Sequence, residues 1–212
     1  MFEDLCLSLS LIASKFFKRT IKLKHGIAFI AFFVTNATMA QTYDANQQQL
    51  SFGGTGVTIS NKVGSNGKTE GDLVLYENVI TIGGQKIDAL VKNVSLTNIT
   101  TFREFDAPKS GTTYTGENDA FFSPQFSFGS NGGSWKFNIT FIKNGTYNST
   151  TKTGTVVNLI NVVLNTYDID GNGSSGTNQF NEFGAVGRYE LGSSTEISAT
   201  YNATSDLTKF RS

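Results

Sequence analysis

The chain has 212 residues, with 17 Lys+Arg balancing 17 Asp+Glu, one histidine and one cysteine. His25 and Cys6 both fall in a leader-like N-terminal stretch. The rest therefore carries no Ser-His-Asp or Cys-His catalytic set, no internal disulfide and none of the usual zinc ligands.

That N-terminal stretch has the anatomy of a secretory signal. Lys15, Lys18, Arg19, Lys22 and Lys24 form a basic region, residues 26–34 (GIAFIAFFV) an apolar core, and Ala37-Thr38-Met39-Ala40 a small-residue cleavage motif. Residues 1–40 are read as a signal peptide cut after Ala40. The apolar run falls short of the about 20 residues a membrane anchor needs. Glu3 and Asp4 are unusual in such a leader and leave open a start downstream of Met1. Without the leader, 12 Lys+Arg face 15 Asp+Glu, a net charge near −3. That mild charge offers no basic footprint for nucleic acid or anionic lipid, and no membrane span is expected after the leader.

The remaining residues, about 170, suffice for one core without staples. The whole chain has 22 Gly, 18 Phe and only 2 Pro, a composition that suits strands and tight turns. Residues 41–56 read as a polar, flexible lead-in, and 57–212 as one domain. Within it, Val57-Thr58-Ile59 is a short strand, followed by a turn region from Asn61 to Gly71. Residues 72–76 and 78–82 read as two strands, closed by Gly83-Gly84. Residues 87–96 are another, interrupted by an acid, Asp88. That carboxylate either faces solvent or needs buried partners. Residues 97–116 read as loop, with Phe102 and Phe105 as anchors on the core. Residues 121–128 are strand-like, and Pro124 places their start at an edge or bulge.

Trp135, Phe137, Ile139 and Phe141 alternate with Lys136, Asn138 and Thr140, the period of a half-buried strand. Residues 156–167 form a long run apolar on both faces, which predicts a central strand between two layers. Residues 196–201 close the series. No window beyond the leader has a capped helical period. The fold class expected is all-β, an antiparallel two-sheet sandwich, jelly-roll-like or immunoglobulin-like.

The strongest local signal follows the long run. Asp168, Asp170 and Asn172 place oxygens at alternate positions, with Gly171 and Gly173 allowing a sharp turn. Calcium seeks six to eight such oxygens. The opening matches an EF-hand loop, but its twelfth position is Gln179 and no helices flank it, so an EF-hand is excluded. Glu182 supplies a later carboxylate instead, and the alternative is a solvated Asp/Asn/Gly turn.

Taken in order, Gly71-Asp72, Tyr76-x-Asn78-Val79, Ile87-Asp88-Ala89-Leu90-Val91, Phe122-Ser123-Pro124, Phe137-x-x-x-Phe141, Asp168-Ile169-Asp170-Gly171 and Asn181-Glu182-Phe183 resemble an extracellular β-sandwich domain of large bacterial surface proteins. The leader and the Gln41 start resemble those of Bacteroidetes exported proteins. The resemblance implies an adhesive or structural role at the cell surface, no enzymatic activity, and Asp88, Asp168, Asp170 and Glu182 as the acids to watch. Such proteins commonly carry a C-terminal sorting domain. None is recognisable before Ser212, so the chain is expected to be a fragment or to be exported differently.

The expected function is thus a secreted, non-catalytic surface or adhesion module with a structural Ca2+ at Asp168, Asp170, Asn172, Glu182 and Asp88. Its partner would be a surface protein or a glycan. A carbohydrate-binding module is the alternative, with Tyr114, Tyr147 and Tyr189 as a shallow sugar face. A glycoside hydrolase using Asp168 or Asp170 with Glu182, and Trp135 stacking the sugar, is a third reading. Aromatics alternating along a strand are more often core than platform.

Overall fold

A computed structural model describes residues 40–106, 120–164 and 179–212. Within them the chain forms strands β1 (Gln41–Asp44), β2 (Thr58–Val63), β3 (Leu73–Ile82), β4 (Gln85–Thr97), β5 (Ile99–Glu104), β6 (Gln125–Phe128), β7 (Ser134–Lys143), β8 (Val157–Ile160), β9 (Phe180–Gly184), β10 (Ser198–Asn202) and β11 (Leu207–Arg211), and no helix. They make four sheets, ordered β2-β3-β4-β7, β5-β6, β1-β8 and β10-β11-β9. All pairings are antiparallel except β1 with β8, and no sheet closes into a barrel.

The four-stranded sheet is the centre. Gly83 and Gly84, with φ of 57° and 80°, make the two-residue turn that joins β3 to β4 in register Ile82↔Gln85. The two strands read separately at 72–76 and 78–82 are one strand with a bulge. Glu77, Asn78 and Val79 lie opposite the single residue Asp88, between the pairs Tyr76↔Ala89 and Ile80↔Ile87. β4 and β7 then pair along their length, from Ile87↔Lys143 to Thr97↔Ser134.

The loop expected over residues 97–116 begins as a strand. Asn98, with φ of 51°, separates β4 from β5 by one residue, and its carbonyl accepts the Gly129 N–H at 2.8 Å. β4–β5 and β6–β7 are thus two arms of one long hairpin that bends at Asn98 and at residues 129–133. The bend changes sheet partner and brings Phe102, Phe105 and Phe126 to Trp135, with ring centroids 5.5, 5.8 and 5.7 Å away. Pro124 precedes β6 directly, as a residue lacking an N–H should at a strand start.

Buried side chains fall in two clusters. One gathers Val74, Tyr76, Ile87, Ala89 and Val91 with the rings of Phe102, Phe105, Phe122, Trp135 and Phe137. The other holds Leu73, Leu75, Leu90 and Ile142 under Val63 and Tyr147. Successive residues of β3 and β4 alternate between them, so they lie on opposite faces of the sheet.

Two expectations at the ends of this region change. The lead-in over residues 41–56 contains β1 and three core residues, Ala45, Leu50 and Phe52. They are held because β1 lies parallel to β8, with Tyr43↔Leu159 facing the aromatic cluster. Of the long central strand expected over 156–167, residues 165–167 lie outside the described residues, and the described part holds a four-residue strand with one partner. Asn161, at φ of 55°, ends it. Ile160, Val163 and Leu164 remain exposed at 48, 42 and 58%.

Candidate functional site

Asp168, Asp170 and Asn172 lie outside the described residues, as does Tyr114. Glu182 sits in β9, half exposed, with its carboxylate 3.2 Å from Lys209 Nζ on β11. Asp88 sits in β4 of a different sheet. Among the described residues, no three His, Cys, Asp or Glu side chains come together as a metal set.

Asp88 is fully buried opposite the β3 bulge. Its Oδ1 accepts the Asn78 N–H and the Asn144 side-chain amide, both at 2.8 Å, and its Oδ2 accepts the Gly145 N–H at 3.2 Å. The bulge leaves an N–H off the ladder, and the carboxylate takes it. Three N–H groups thus point their positive ends where a cation would have to sit, and the carboxylate fastens a bulge to a turn.

Asp72 works in the same way. It accepts from the Ser65 N–H at 3.0 Å, the Thr69 N–H at 3.1 Å and the Thr69 hydroxyl at 2.6 Å, closing the β2–β3 loop on itself. A side chain at Gly64 would put its Cβ 1.6 Å from Asp72 Oδ1, and φ there is +77°, so the closure requires glycine. Asn93 ties the same loop down. Its amide donates to the carbonyls of Gly67 and Thr69, while its oxygen accepts Trp135 Nε1–H at 2.5 Å. Trp135, whose ring stacks on Phe137 at 4.4 Å, is half-buried against the aromatic cluster. Tyr147 lies partly buried with Lys62 Nζ 5.2 Å above its ring. Tyr189 is 52% exposed and meets Phe210 edge-on at 5.4 Å.

One acid escaped the sequence reading. Asp106 closes a cleft of about 180 Å³ that Lys68, Asn61 and Glu104 also line. It accepts from the Tyr76 hydroxyl at 3.0 Å and from the Ser123 N–H at 2.9 Å. Burial raises its pKa to about 6, against the opposing pull of those two donors. Burial, and then the charge of Asp106, push the Tyr76 hydroxyl upward as well. Its position directly after the anchor Phe105 is the one hint in the sequence, since an acid tethered behind a buried ring is carried inward with it.

A second hollow, of about 510 Å³, lies between β7 and β8. The two strands touch at the bridge Ile142↔Val156, where the Lys143 N–H donates to the Thr155 carbonyl at 2.8 Å, and then diverge. Its lining is neutral throughout.

No protein-family model matches the chain, and no curated protein or solved structure matches it. Among the described residues no helix is long and apolar enough to cross a membrane.

Proposed function

We propose that the chain is a secreted, non-catalytic surface or adhesion module, built as an antiparallel β-sandwich in which the bent hairpin and the β1–β8 pair form the second layer over the aromatic face. The observation that carries this reading is how the buried polar groups are used. Asp72, Asp88 and Asn93 each fasten loop or bulge backbone, and Asn93 also anchors the core indole. Such fastening yields a rigid scaffold with fixed loops, suited to recognition by surface and edges. A structural calcium ion belongs to the same reading, held by Asp168, Asp170 and Asn172 with Glu182. Asp88 is left out of that set because its oxygens already accept three N–H groups.

The test is where the protein goes and how it begins. Expressed in its native cell, it should be accessible to protease added outside, with Gln41 as its first residue by mass spectrometry. An intact leader on intracellular protein would overturn the reading. A glycan array separates the carbohydrate-binding alternative, for which the exposed Tyr189 is the available ring.

A further inference from the structure

The two faces of the central sheet differ in charge as well as in packing. Strands β2, β3, β4 and β7 carry Lys62, Lys86, Lys92, Lys136 and Lys143 against Glu77 and Asp88. Alternation fixes where the cations go. Lys92 lies two residues from Leu90 and opposite Leu73, so it shares the aliphatic face. Lys136 stands two residues before Asn138, the partner of Lys92, and joins it there. Lys62 reaches the same face, because its Nζ stands 5.2 Å from the centre of the Tyr147 ring that packs on the leucines.

Among the described residues, none of these three lysines has a carboxylate within ion-pair distance. The acids nearest to them are already in use. Asp88 accepts three N–H groups, Asp72 closes the β2–β3 loop, and Glu70 accepts the Leu96 N–H at 2.9 Å. Glu77 shares the face but sits four residues along β3 from Leu73, about 13 Å away. The balanced charge of the whole chain hides this segregation. Lysines guard sheet edges against pairing, which accounts for Lys62 on β2 and Lys136 on β7. It does not account for Lys92, because β4 has a neighbour on each side.

Spacing and neighbours say what this row fits. Lys92 and Lys136 are diagonal neighbours on adjacent strands, with Cβ atoms about 7 Å apart, and Lys62 lies two strands from Lys92, about 10 Å away. Like charges so placed repel, and an anion lying across them relieves the repulsion. The phosphates of a nucleic acid strand follow about every 3.4 Å, too densely for this row. The Tyr147 ring lies under Lys62 and offers no open face to a base. A membrane would take up apolar side chains, yet Leu73, Leu75 and Leu90 are buried. The uncharged residues beside the lysines are Ser95, Asn138 and Thr140, all able to bond to hydroxyl groups.

We infer that this face of the central sheet binds an acidic polysaccharide with carboxylates on alternate sugars. Its charges meet Lys62, Lys92 and Lys136, and its hydroxyl groups meet Ser95, Asn138 and Thr140. Alternate sugars suit the row because about 10 Å, two strand spacings, spans two rings. The inference rests on the reading of the chain as a surface module and names the class of its partner.

The test uses the purified protein and a fluorescein-labelled hyaluronan octasaccharide. Anisotropy should show saturable binding at about 50 mM salt that weakens at least tenfold by about 200 mM. The amide resonances of Lys92, Lys136 and Asn138 should shift while those of Leu207–Arg211 do not. A neutral cello-oligosaccharide of equal length should not bind. Lys92→Gln combined with Lys136→Gln keeps the stems over the leucines and should weaken binding at least tenfold. Arg188→Gln, in the exposed segment between β9 and β10, should change it less than twofold. Should the double variant fail to fold, the amide shifts in the unaltered protein decide. No binding at octasaccharide concentrations of about 1 mM overturns the inference, as does undiminished binding in the folded double variant. Tighter binding of an eight-nucleotide DNA strand or of anionic lipid vesicles assigns the face to another polyanion and overturns it too. Each of these failures leaves the surface-module reading standing, since that reading falls on an intact, unexported leader.

Discussion

The four-stranded sheet buries aromatic rings on one face and aliphatic side chains on the other. On the aromatic face, segments distant in sequence converge: Phe52, Phe102, Phe105, Phe122 and Val157 all reach the residues around Tyr76 and Trp135. The aliphatic face is closed locally. Val63 comes from the neighbouring strand, and Tyr147 from the turn that follows β7, a turn whose Gly154 leaves room for Ile142. Each face also has its own polar fastening, Asn93 and Asp106 on the first and Asp88 on the second. The difference teaches that one face sets long-range order and the other sets a single turn, so damage to each should spread differently.

The largest effect should come from Tyr76, which is fully buried and meets Phe52 and Phe122 edge-on at 5.2 and 6.1 Å. Tyr76→Ala should cost about 3–5 kcal/mol in denaturant unfolding, as large ring deletions do. Hydrogen exchange should show lost protection in β5 and β6 as well as in β3. Asp88→Ala strands the amides of Asn78 and Gly145 and should cost about 3 kcal/mol. Its loss of protection should stay within the bulge and residues 144–155. If Asp88→Ala also frees β5 and β6, the two faces are one cooperative unit and the contrast collapses.

Asp106 sharpens the contrast through pH. Its pKa is raised to about 6 in the folded chain, against about 3.9 when unfolded. Below both values the carboxyl is protonated in either state and nothing is lost. As pH rises between them, the unfolded chain releases its proton first, so stability falls, and the loss is complete above pH 6. Two pKa units correspond to about 3 kcal/mol. Asp106→Asn should flatten that decline between pH 4 and 6, measured by urea midpoints across the range. A decline that persists unchanged in the variant would assign the slope to another group.

The sequence reveals β4 and β7 because alternating burial leaves a period of two, and it reveals the anomaly at Asp88 because an acid breaks an apolar run. It also places a break at Glu77, although the break is a bulge inside one strand. What it conceals depends on partners. β1 and β5 are polar four- and six-residue strands whose order comes from pairing with β8 and β6. Residues 156–167 look like a central strand because composition cannot say how many neighbours a strand has, nor that Asn161 turns left-handed. Asp106 has no local mark beyond Phe105, since its raised pKa is made by burial that arises only in three dimensions.

The smallest expected effect concerns calcium and neither face. Free calcium at ten times its dissociation constant should add about 1.4 kcal/mol, a rise of about 3–6 °C in the unfolding midpoint for a domain of this size. The rise should vanish in Asp168→Ala and Asp170→Ala. Glu182 is the informative position, because Lys209 Nζ stands 3.2 Å from its carboxylate and competes with any cation for it. That ion pair is half exposed, so breaking it costs little. Lys209→Ala should therefore enlarge the calcium effect, and Glu182→Gln should abolish it. If calcium still stabilises Glu182→Gln, the cation is held by the 168–172 stretch without β9. If calcium changes nothing in the unaltered protein, Asp168 to Gly173 is a turn, and Lys209 is the cation that Glu182 was placed to meet.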